Sequence, residues 1–251
     1  MSSRQSLNNP VRSRLQIISS RLRNFLGEPQ RKRKLPDPLE LLIATVLSQN
    51  TNDLNSHKAF TNLKKGYPDF TILAHVNPRR IEPLIKVGGI ANKKSKTIVR
   101  LVKGVVSGFG KFDRSSLRKI KRVELIERLC SLHGVGFKTA ACVSLFALGD
   151  DDAFPVDTHV HRILNRLGVV SEKTPDKTYL AVRDKIPPSG GYELHINLIR
   201  YGRRICTALK PKCYECVLFD ICRWKDKDGQ VREKPVQKGD RNADFMILES
   251  I

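Results

Sequence analysis

The sequence lacks long apolar runs. No stretch approaches the roughly 18–20 consecutive apolar residues that span a bilayer, which argues against a membrane protein. The segment from Met1 to Asn24 carries five arginines, and its longest apolar run is Ile17-Ile18, too short for the apolar core of a signal peptide. We therefore expect an intracellular protein of the cytoplasm or nucleoid, with a nuclear location left open.

Acidic residues are also scarce. The chain has 25 Asp and Glu against 46 Lys and Arg, a net charge of +21 over 251 residues. Such an excess draws a protein to polyanions, so nucleic acid is the first partner to expect and a membrane surface the second. Nine of the basic residues and one acidic residue lie in residues 1–34. Its run Arg31-Lys32-Arg33-Lys34 is either a solvated linker or an arm that contacts phosphates.

Apolar residues make up 40% of the chain, enough for a folded core, and they recur at helical spacing. We find no convincing strand, so the predicted class is all-α. In the helix at 92–107, Lys93, Lys94, Lys96 and Arg100 are placed on the outer face. Residues 225–251 hold six basic and six acidic residues, which predicts a mobile tail that could dock through 245–248. Helices are predicted at about 11–26, from Pro38 through Leu47, and at 53–65, 70–76, 78–86, 92–107, 122–132, 137–148, 158–167, 176–186 and 191–205.

Four cysteines cluster near the C-terminus with the spacing C-x6-C-x2-C-x5-C: Cys206, Cys213, Cys216 and Cys222. Four thiolates can hold one tetrahedral metal ion or one cubane cluster. Zinc sites more often use two short-spaced pairs, and this cluster has one. The spacing therefore favours [4Fe–4S] and leaves zinc open. Cys130 and Cys142 lie on apolar helix faces and are expected to be core residues.

A glycine-containing hairpin, LHGVGFKTA, connects two predicted helices. Gly134 and Gly136 permit a tight turn and a close approach of backbone to ligand. The helix start behind them can bind a phosphate without reading a base, although a plain helix–helix turn is the alternative. Lys138 lies in the first helical turn, where the positive end of the helix dipole favours a neutral, nucleophilic amine. A purely phosphate-binding lysine is the alternative.

Asp157 stands before the predicted helix 158–167, where it is expected to be the N-cap. One carboxylate oxygen could cap the helix while the other faces a cleft. His159 and His161 are two residues apart on this helix and point to different faces. We therefore expect polar surface roles for both histidines and no metal pair.

In this order and spacing, ELLIATVLSQNTND, LHGVGFKTA, VDTHVHRILNRLG and the cysteine cluster closely resemble the endonuclease III family of DNA glycosylases. The resemblance covers about Leu39 to Trp224. It implies a two-lobed helix–hairpin–helix DNA glycosylase fold with a C-terminal [4Fe–4S] loop held by the four clustered cysteines. Residues 30–150 would form a six-helix barrel. Residues 1–29 would join 151–224 in the cluster lobe, with 225–251 as the tail.

The resemblance also implies roles for individual residues. Lys138 would be the nucleophile, and Asp157 would assist chemistry at the sugar of a nucleotide flipped out of the duplex. Gln49 lies one position earlier than the family's glutamine, and His133 stands where many relatives have proline. The residues expected to contact DNA are the hairpin residues Gly134, Val135 and Gly136, the wedge residues Asn50 and Ile90, with His159 nearby, and Lys210 and Lys212 of the cysteine loop.

The expected function is that of a monomeric, bifunctional DNA glycosylase and AP lyase acting on oxidised pyrimidines and abasic sites in double-stranded DNA. One alternative is a mismatch glycosylase for G·T or G·U pairs, whose members share the cluster and the aspartate but often lack the hairpin lysine. A different class is a non-catalytic DNA-binding iron–sulfur protein, which would need the hairpin and cysteines but not Lys138 with Asp157.

Overall fold

The structure, a computed structural model, describes residues 9–31 and 33–229. The docking segment predicted at 245–248 and most of the predicted tail lie outside these residues. The described part of the chain contains helices and loops and no strand, which confirms the predicted all-α class. None of its helices is both long enough and apolar enough to cross a bilayer.

Eleven α-helices occur within the described residues. Shorter 3-10 segments occupy Phe70–His75, Lys86–Gly88, Cys213–Glu215 and Lys225–Gly229. The last of these begins the segment predicted to be a mobile tail, and there Lys227 Nζ donates to the carbonyls of Phe219 and Cys222. The α-helices are α1 (Pro10–Leu26), α2 (Pro38–Ser48), α3 (Asp53–Gly66), α4 (Pro78–Ile85), α5 (Ala91–Gly108), α6 (Arg114–Leu117), α7 (Arg122–Cys130), α8 (Phe137–Cys142), α9 (Thr158–Arg166), α10 (Pro175–Val182) and α11 (Gly191–Arg204).

Two helical segments differ from the periodicity-based prediction. The four-residue α6 was not predicted, because its length is a single turn, too short to show a repeat; the Asp113 side chain caps it at the Ser116 N–H. Helix α8 ends at Cys142 and continues as a π-helical turn over Val143–Ala147. Its end is held by Arg114, whose guanidinium donates to the Ala147 carbonyl over 2.7 Å.

The chain divides into two compact units. The first comprises the described residues of Met1–Gln30 and Asp150–Asp244, and the second those of Arg31–Gly149. In the first unit α1 packs against α11, and α11 packs against α9. The buried face of α1 repeats at helical spacing through Leu15, Ile18 and Leu22, each fully inaccessible to solvent.

The arginines of α1 are largely engaged within the first unit. Arg21 pairs with Asp220, and this hydrogen bond lowers the pKa of the Asp220 carboxyl. Part of the positive charge near the N-terminus therefore fastens α1 to its own unit. The contacts are Arg12 to the Asp184 carbonyl, Arg14 to the carbonyls of Leu167 and Ile221, and Arg21 and Arg23 to the carboxylates of Asp220 and Glu193.

The second unit is built around α2. Every residue from Leu41 to Leu47 is buried, and α2 contacts α3, α5 and α8. A helix that is apolar on all sides belongs in the middle of a helical assembly, as its composition predicted. Helix α5 buries Ile98, Leu101 and Val105 as expected. Lys94 is also buried on α5, so its predicted outward position is wrong.

Two neighbouring isoleucines of α1 allow a matched test of this packing. Ile18 is 0% exposed and Ile17 is 47% exposed. We expect Ile18→Ala to lower the free energy of unfolding by about 2–5 kcal/mol, because it leaves a cavity in the core. The same substitution at Ile17 should change it by no more than about 0.5 kcal/mol. Urea unfolding followed by circular dichroism measures both, and equal losses would contradict the packing of α1.

Candidate functional site

The hairpin before α8 requires glycine at one of its two positions. Gly134 has φ of 83°, and a Cβ there would come within 2.6 Å of Thr97 Cγ2. Gly136 is the N-cap of α8 in an extended conformation that any residue can adopt, with no atom within 4 Å of a Cβ position. The expected tight turn thus depends on Gly134, whereas Gly136 leaves open space in front of the helix.

The start of α8 is not capped by a side chain. The first N–H groups of a helix have no acceptor inside it, so a helix start of this kind suits an anion. The Val135 N–H, in contrast, closes the turn by donating to the Leu132 carbonyl over 3.1 Å, and the Val135 side chain is buried. Anion binding at this hairpin therefore stays a prediction for the helix start, and the Val135 amide is already occupied.

Lys138 is the second residue of α8 and is half-buried. Its ammonium group forms no hydrogen bond or ion pair with the described residues. A cation in the first turn of a helix is opposed by the helix dipole, and here no carboxylate offsets that repulsion. The amine is therefore uncommitted inside its own unit.

Asp157 is the N-cap of α9, as predicted. Its Oδ1 accepts the Val160 N–H over 2.8 Å, and its Oδ2 accepts no hydrogen bond from the described residues. The preceding turn is fixed by a buried histidine, since His195 Nδ1 lies 2.9 Å from the Pro155 carbonyl oxygen. Asp157 therefore has a set backbone position and one free carboxylate oxygen.

The two histidines of α9 are both half-buried. His159 is half-buried, and Arg162 lies 3.1 Å from its Nδ1. Burial lowers the pKa of His159; the Asp157 carboxylate opposes this shift, and Arg162 and Arg203 add to it. His161 Nδ1 lies 2.8 Å from Thr178 Oγ1. Both histidines therefore make polar contacts inside the first unit, where we had expected polar roles at the surface.

Asn50 and Ile90 are exposed residues with a strained backbone. Asn50 follows α2 with φ of 52°, and Ile90 precedes α5 with φ of 48°. A left-handed conformation is uncommon for asparagine and an outlier for β-branched isoleucine, at a cost of about 1–3 kcal/mol each. The Ile90 side chain is 54% exposed. Both predicted wedge residues thus project from fixed, strained loops of the second unit.

The four clustered cysteines line a single cavity that is partly open to solvent. Its walls also include Pro211, Phe219 and Trp224. The four cysteines share the lining of this space, and the described residues contain no group of three or more His, Cys, Asp or Glu side chains arranged to hold a single metal ion. Four thiols around a shared cavity fit a polynuclear cluster. The other two cysteines lie in the second unit, Cys142 buried and Cys130 half-buried.

Burial of the cysteines opposes thiolates at this cavity, and hydrogen bonds to two of the sulfur atoms favour them. Burial raises the pKa of the Cys216 thiol to about 11 and also raises the pKa values of Cys213 and Cys222. Ligation requires thiolates, so a positively charged metal core must replace the protons. The Tyr201 hydroxyl donates to Cys216 Sγ over 3.0 Å, and Arg166 donates to Cys206 Sγ over 3.4 Å. Such donors stabilise thiolate ligands.

The loop between Cys206 and Cys213 presents two exposed lysines, Lys210 and Lys212. Arg166 anchors the start of this loop by donating to the carbonyls of Thr207 and Ala208 over 2.7 and 2.9 Å. Its guanidinium lies 4.2 Å from the centre of the Trp224 ring. The predicted phosphate-contacting lysines therefore extend from a loop that is fixed at its base.

The predicted site residues fall into two groups. The first unit holds Asp157, His159, the four cysteines and the two loop lysines, and the second unit holds Lys138, the hairpin, Asn50 and Ile90. Sequence reasoning missed Lys94, Tyr201 and the polar contacts of Arg162 and Arg166. For Lys94 a signal existed, because it precedes the buried Ile98 by four residues and Leu101 by seven, the spacing of one helix face.

Comparisons with known proteins agree with these features. The profile of the HhH-GPD superfamily of base excision DNA repair proteins matches residues 43–188, and that of the iron–sulfur binding domain of endonuclease III matches residues 206–222. Endonuclease III of Thermotoga maritima is 36% identical over 214 residues, which cover 85% of this chain and 96% of the relative. Thymine-DNA glycosylase of Aeropyrum pernix is 30% identical over 203 residues, which cover 78% and 86%.

A solved structure is similar to this chain over most of its length. The structure of a trapped covalent intermediate of endonuclease III with DNA, an estranged-adenine complex, matches with a TM-score of 0.73 at 27% identity, covering 87% of this chain and 99% of that one. The two matched profiles together cover the helix–hairpin–helix, the aspartate turn and the cysteine loop. The chain belongs to the endonuclease III family of HhH-GPD base excision repair DNA glycosylases, and it carries the [4Fe–4S] cluster of that family.

Proposed function

We propose that this protein is a bifunctional DNA glycosylase and AP lyase that removes oxidised pyrimidines from double-stranded DNA. The observation that carries the proposal is Lys138, an amine without a partner in its own unit, placed at the helix start behind the hairpin. The similar structure captured as a covalent intermediate with DNA supports covalent chemistry of this kind. On this proposal the protein acts as a monomer on damaged or abasic DNA inside the cell.

The reaction begins when the damaged nucleotide leaves the base stack, which costs a few kcal/mol. A neighbouring phosphate binds at the start of α8. The neutral Lys138 amine attacks C1′ of the sugar, and the C1′–N bond breaks with its electron pair leaving on the base, which takes up the proton that the amine releases. The C1′–O4′ bond then breaks, O4′ is protonated, and a Schiff base forms between Lys138 Nζ and C1′. Loss of a C2′ proton then expels the 3′ phosphate by β-elimination and cuts the strand.

Asp157 supplies the negative charge that this sequence of steps needs. Its Oδ1 is occupied by the helix cap, so Oδ2 is the oxygen left to stabilise positive charge on the sugar and to assist proton transfer. The cap and the hydrogen-bonded Pro155 carbonyl hold the carboxylate in place before the reaction begins. No free energy is therefore needed to order this group during the reaction. One residue thereby combines a structural and a chemical function.

The remaining residues hold the duplex. Asn50 and Ile90 fill the space vacated by the flipped nucleotide, and His159 contacts the DNA. An apolar side chain as exposed as Ile90 gains from such burial. The Gly134–Gly136 hairpin gives the DNA backbone close access to α8. Lys210 and Lys212 contact phosphates from the cysteine loop, a sequence-independent interaction that weakens with salt.

Cys206, Cys213, Cys216 and Cys222 hold the [4Fe–4S] cluster in this proposal. When bound, the cluster would supply a one-electron redox couple. The hydrogen bonds from Tyr201 and Arg166 to the sulfur atoms would orient these ligands. Four cysteines held at one cluster would keep the loop that carries the two lysines rigid.

A second candidate is a mismatch glycosylase acting on G·T or G·U pairs. The similarity to a thymine-DNA glycosylase favours it. Lys138 opposes it, because such enzymes often lack lysine at this position. A non-catalytic DNA-binding protein would leave both the free amine of Lys138 and the free Oδ2 of Asp157 without a purpose.

Borohydride trapping on a panel of duplexes tests the nucleophile and the substrate together. We expect the protein to form a covalent adduct with duplexes that carry thymine glycol or an abasic site, because borohydride reduces the Schiff base. Lys138→Ala should form no adduct. The matched control Lys119→Ala, at an exposed lysine outside the proposed site, should form it normally. An adduct that survives Lys138→Ala, or selective cleavage of the G·T duplex, would overturn the proposal.

Asp157→Asn separates the two functions of the aspartate. Asparagine caps helices as well as aspartate does, so we expect the stability to change little. Base excision should fall by about 10²–10⁴-fold, because the negative charge is gone. Asp157→Ala should lose the activity and in addition about 0.5–2 kcal/mol of stability. Single-turnover excision and urea unfolding measure the pair, and an active Asp157→Asn protein would refute the assigned role.

Metal analysis of variants tests the cluster ligands. Protein purified without oxygen should be brown and contain about four iron atoms per chain. Cys216→Ser should lose iron, because a serine hydroxyl replaces one thiolate, while Cys130→Ser serves as the control that retains it. A colourless protein with stoichiometric zinc, or equal iron loss in both variants, would contradict this ligand set.

A further inference from the structure

Lys94 is a buried lysine that the mechanism above does not use. It is 4% exposed and lies in the first turn of α5. Burial lowers the pKa of its ammonium group, and the positive end of the helix dipole opposes a cation at this position. A charge in such a place persists only when strong local interactions compensate for its lost hydration.

The compensation comes from two backbone carbonyls. Lys94 Nζ donates to the Leu47 oxygen and to the Gly88 oxygen, each over 2.7 Å. Leu47 lies in the last turn of α2, where carbonyls lack partners inside the helix and the dipole is negative. Gly88 ends the short turn that precedes α5. One ammonium group therefore joins the ends of two separate chain segments.

Both segments lead directly to a strained, exposed residue. Asn50 lies three residues after Leu47, and Ile90 lies two residues after Gly88. Within the described residues, Asn50, Ile90 and Ser189 are the non-glycine residues with positive φ. Strained conformations of this kind persist where the surrounding structure fixes them. The Lys94 ammonium group thus binds the backbone two or three residues before each of the two strained positions of the second unit.

The two segments are also in direct contact. A Cβ added to Gly88 would lie 3.1 Å from Ala59 Cβ and 4.0 Å from the Leu47 oxygen. Gly88 therefore packs closely against α3 and the end of α2. With the ammonium group bridging the two carbonyls, the loops that carry Asn50 and Ile90 have little freedom to move independently.

We propose that Lys94 is a positioning residue that fixes the Asn50 loop and the Ile90 turn relative to each other, so that both side chains enter the duplex as one preformed wedge. This inference rests on the proposed function, in which Asn50 and Ile90 replace the flipped nucleotide. Preforming the wedge reduces the ordering that DNA binding must otherwise impose. Lys94 acts before the chemical step, because its contacts are to loop carbonyls and not to the reacting sugar.

The test compares Lys94→Met with Lys93→Met in the full-length, cluster-containing protein. Lys93 lies next to Lys94 on the same helix and is exposed, so its substitution removes the same charge without removing the bridge. Two substrates are cut under single-turnover conditions: a duplex that contains thymine glycol, and a single strand that contains an abasic site. The single strand needs no wedge, because it has no base stack to replace.

We expect Lys94→Met to slow cleavage of the duplex by about 10- to 100-fold, the effect of a small misplacement of site residues, and to leave cleavage of the single strand unchanged. Fluorescence of 2-aminopurine opposite the lesion should show less unstacking with this variant. Lys93→Met should stay within about twofold of the unaltered protein on both substrates, as for an exposed charge.

The other outcomes overturn the inference in distinguishable ways. If the unaltered protein cuts neither substrate, the proposed function fails and the wedge with it. If the unaltered protein is active and Lys94→Met behaves like Lys93→Met, or loses both substrates equally, the positioning role is wrong.

Should Lys94→Met not fold, Lys94→Gln retains two N–H donors on a shorter side chain. It should show a smaller loss on the duplex and faster hydrogen exchange at residues 49–51 and 89–91. Exchange equal to that of the unaltered protein would refute the bridge.

Discussion

An α-helix leaves its first N–H groups and its last carbonyls without partners, and an all-helical protein must satisfy these groups elsewhere. Several of the proposed functional residues lie at such helix ends. Asp157 caps α9, Lys94 binds a carbonyl at the end of α2, and the start of α8 has no side-chain cap. A helix start without a side-chain cap, as at α8, is a place where a phosphate can take the place of a cap.

Helix ends also explain why structural and chemical roles coincide. Asp157 has one oxygen committed to the cap and one free, so in the proposed mechanism the cap that orders α9 also holds the reacting carboxylate in place. Lys138 is the opposite case, because nothing in its unit pairs with its charge. An unpaired cation at the positive end of a helix is unfavourable for folding, which is typical of a residue kept for function.

The positive charge of the chain serves two different purposes. The arginines of α1 bind carbonyls and carboxylates within the first unit, and Arg166 anchors the cysteine loop. Lys210 and Lys212, in contrast, are exposed on that loop and free to meet phosphates. The positive charge available to DNA is therefore smaller than the net charge of +21, because some of the basic side chains hold helices and loops in place.

The sequence by itself determined the helical class, the positions of most helices, the cysteine set and the family. These follow from local spacing: apolar residues at helical periodicity, two glycines between helices, and four cysteines within seventeen residues. It could not show that a side chain is excluded at Gly134 and not at Gly136, or that His159 is half-buried. Those facts depend on neighbours distant in sequence, such as Thr97 beside Gly134 and Gly202 beside His159. Only the tertiary structure decided that Lys94 is buried, because a lysine at the margin of an apolar helix face becomes a core residue only when carbonyls from two other segments meet its ammonium group.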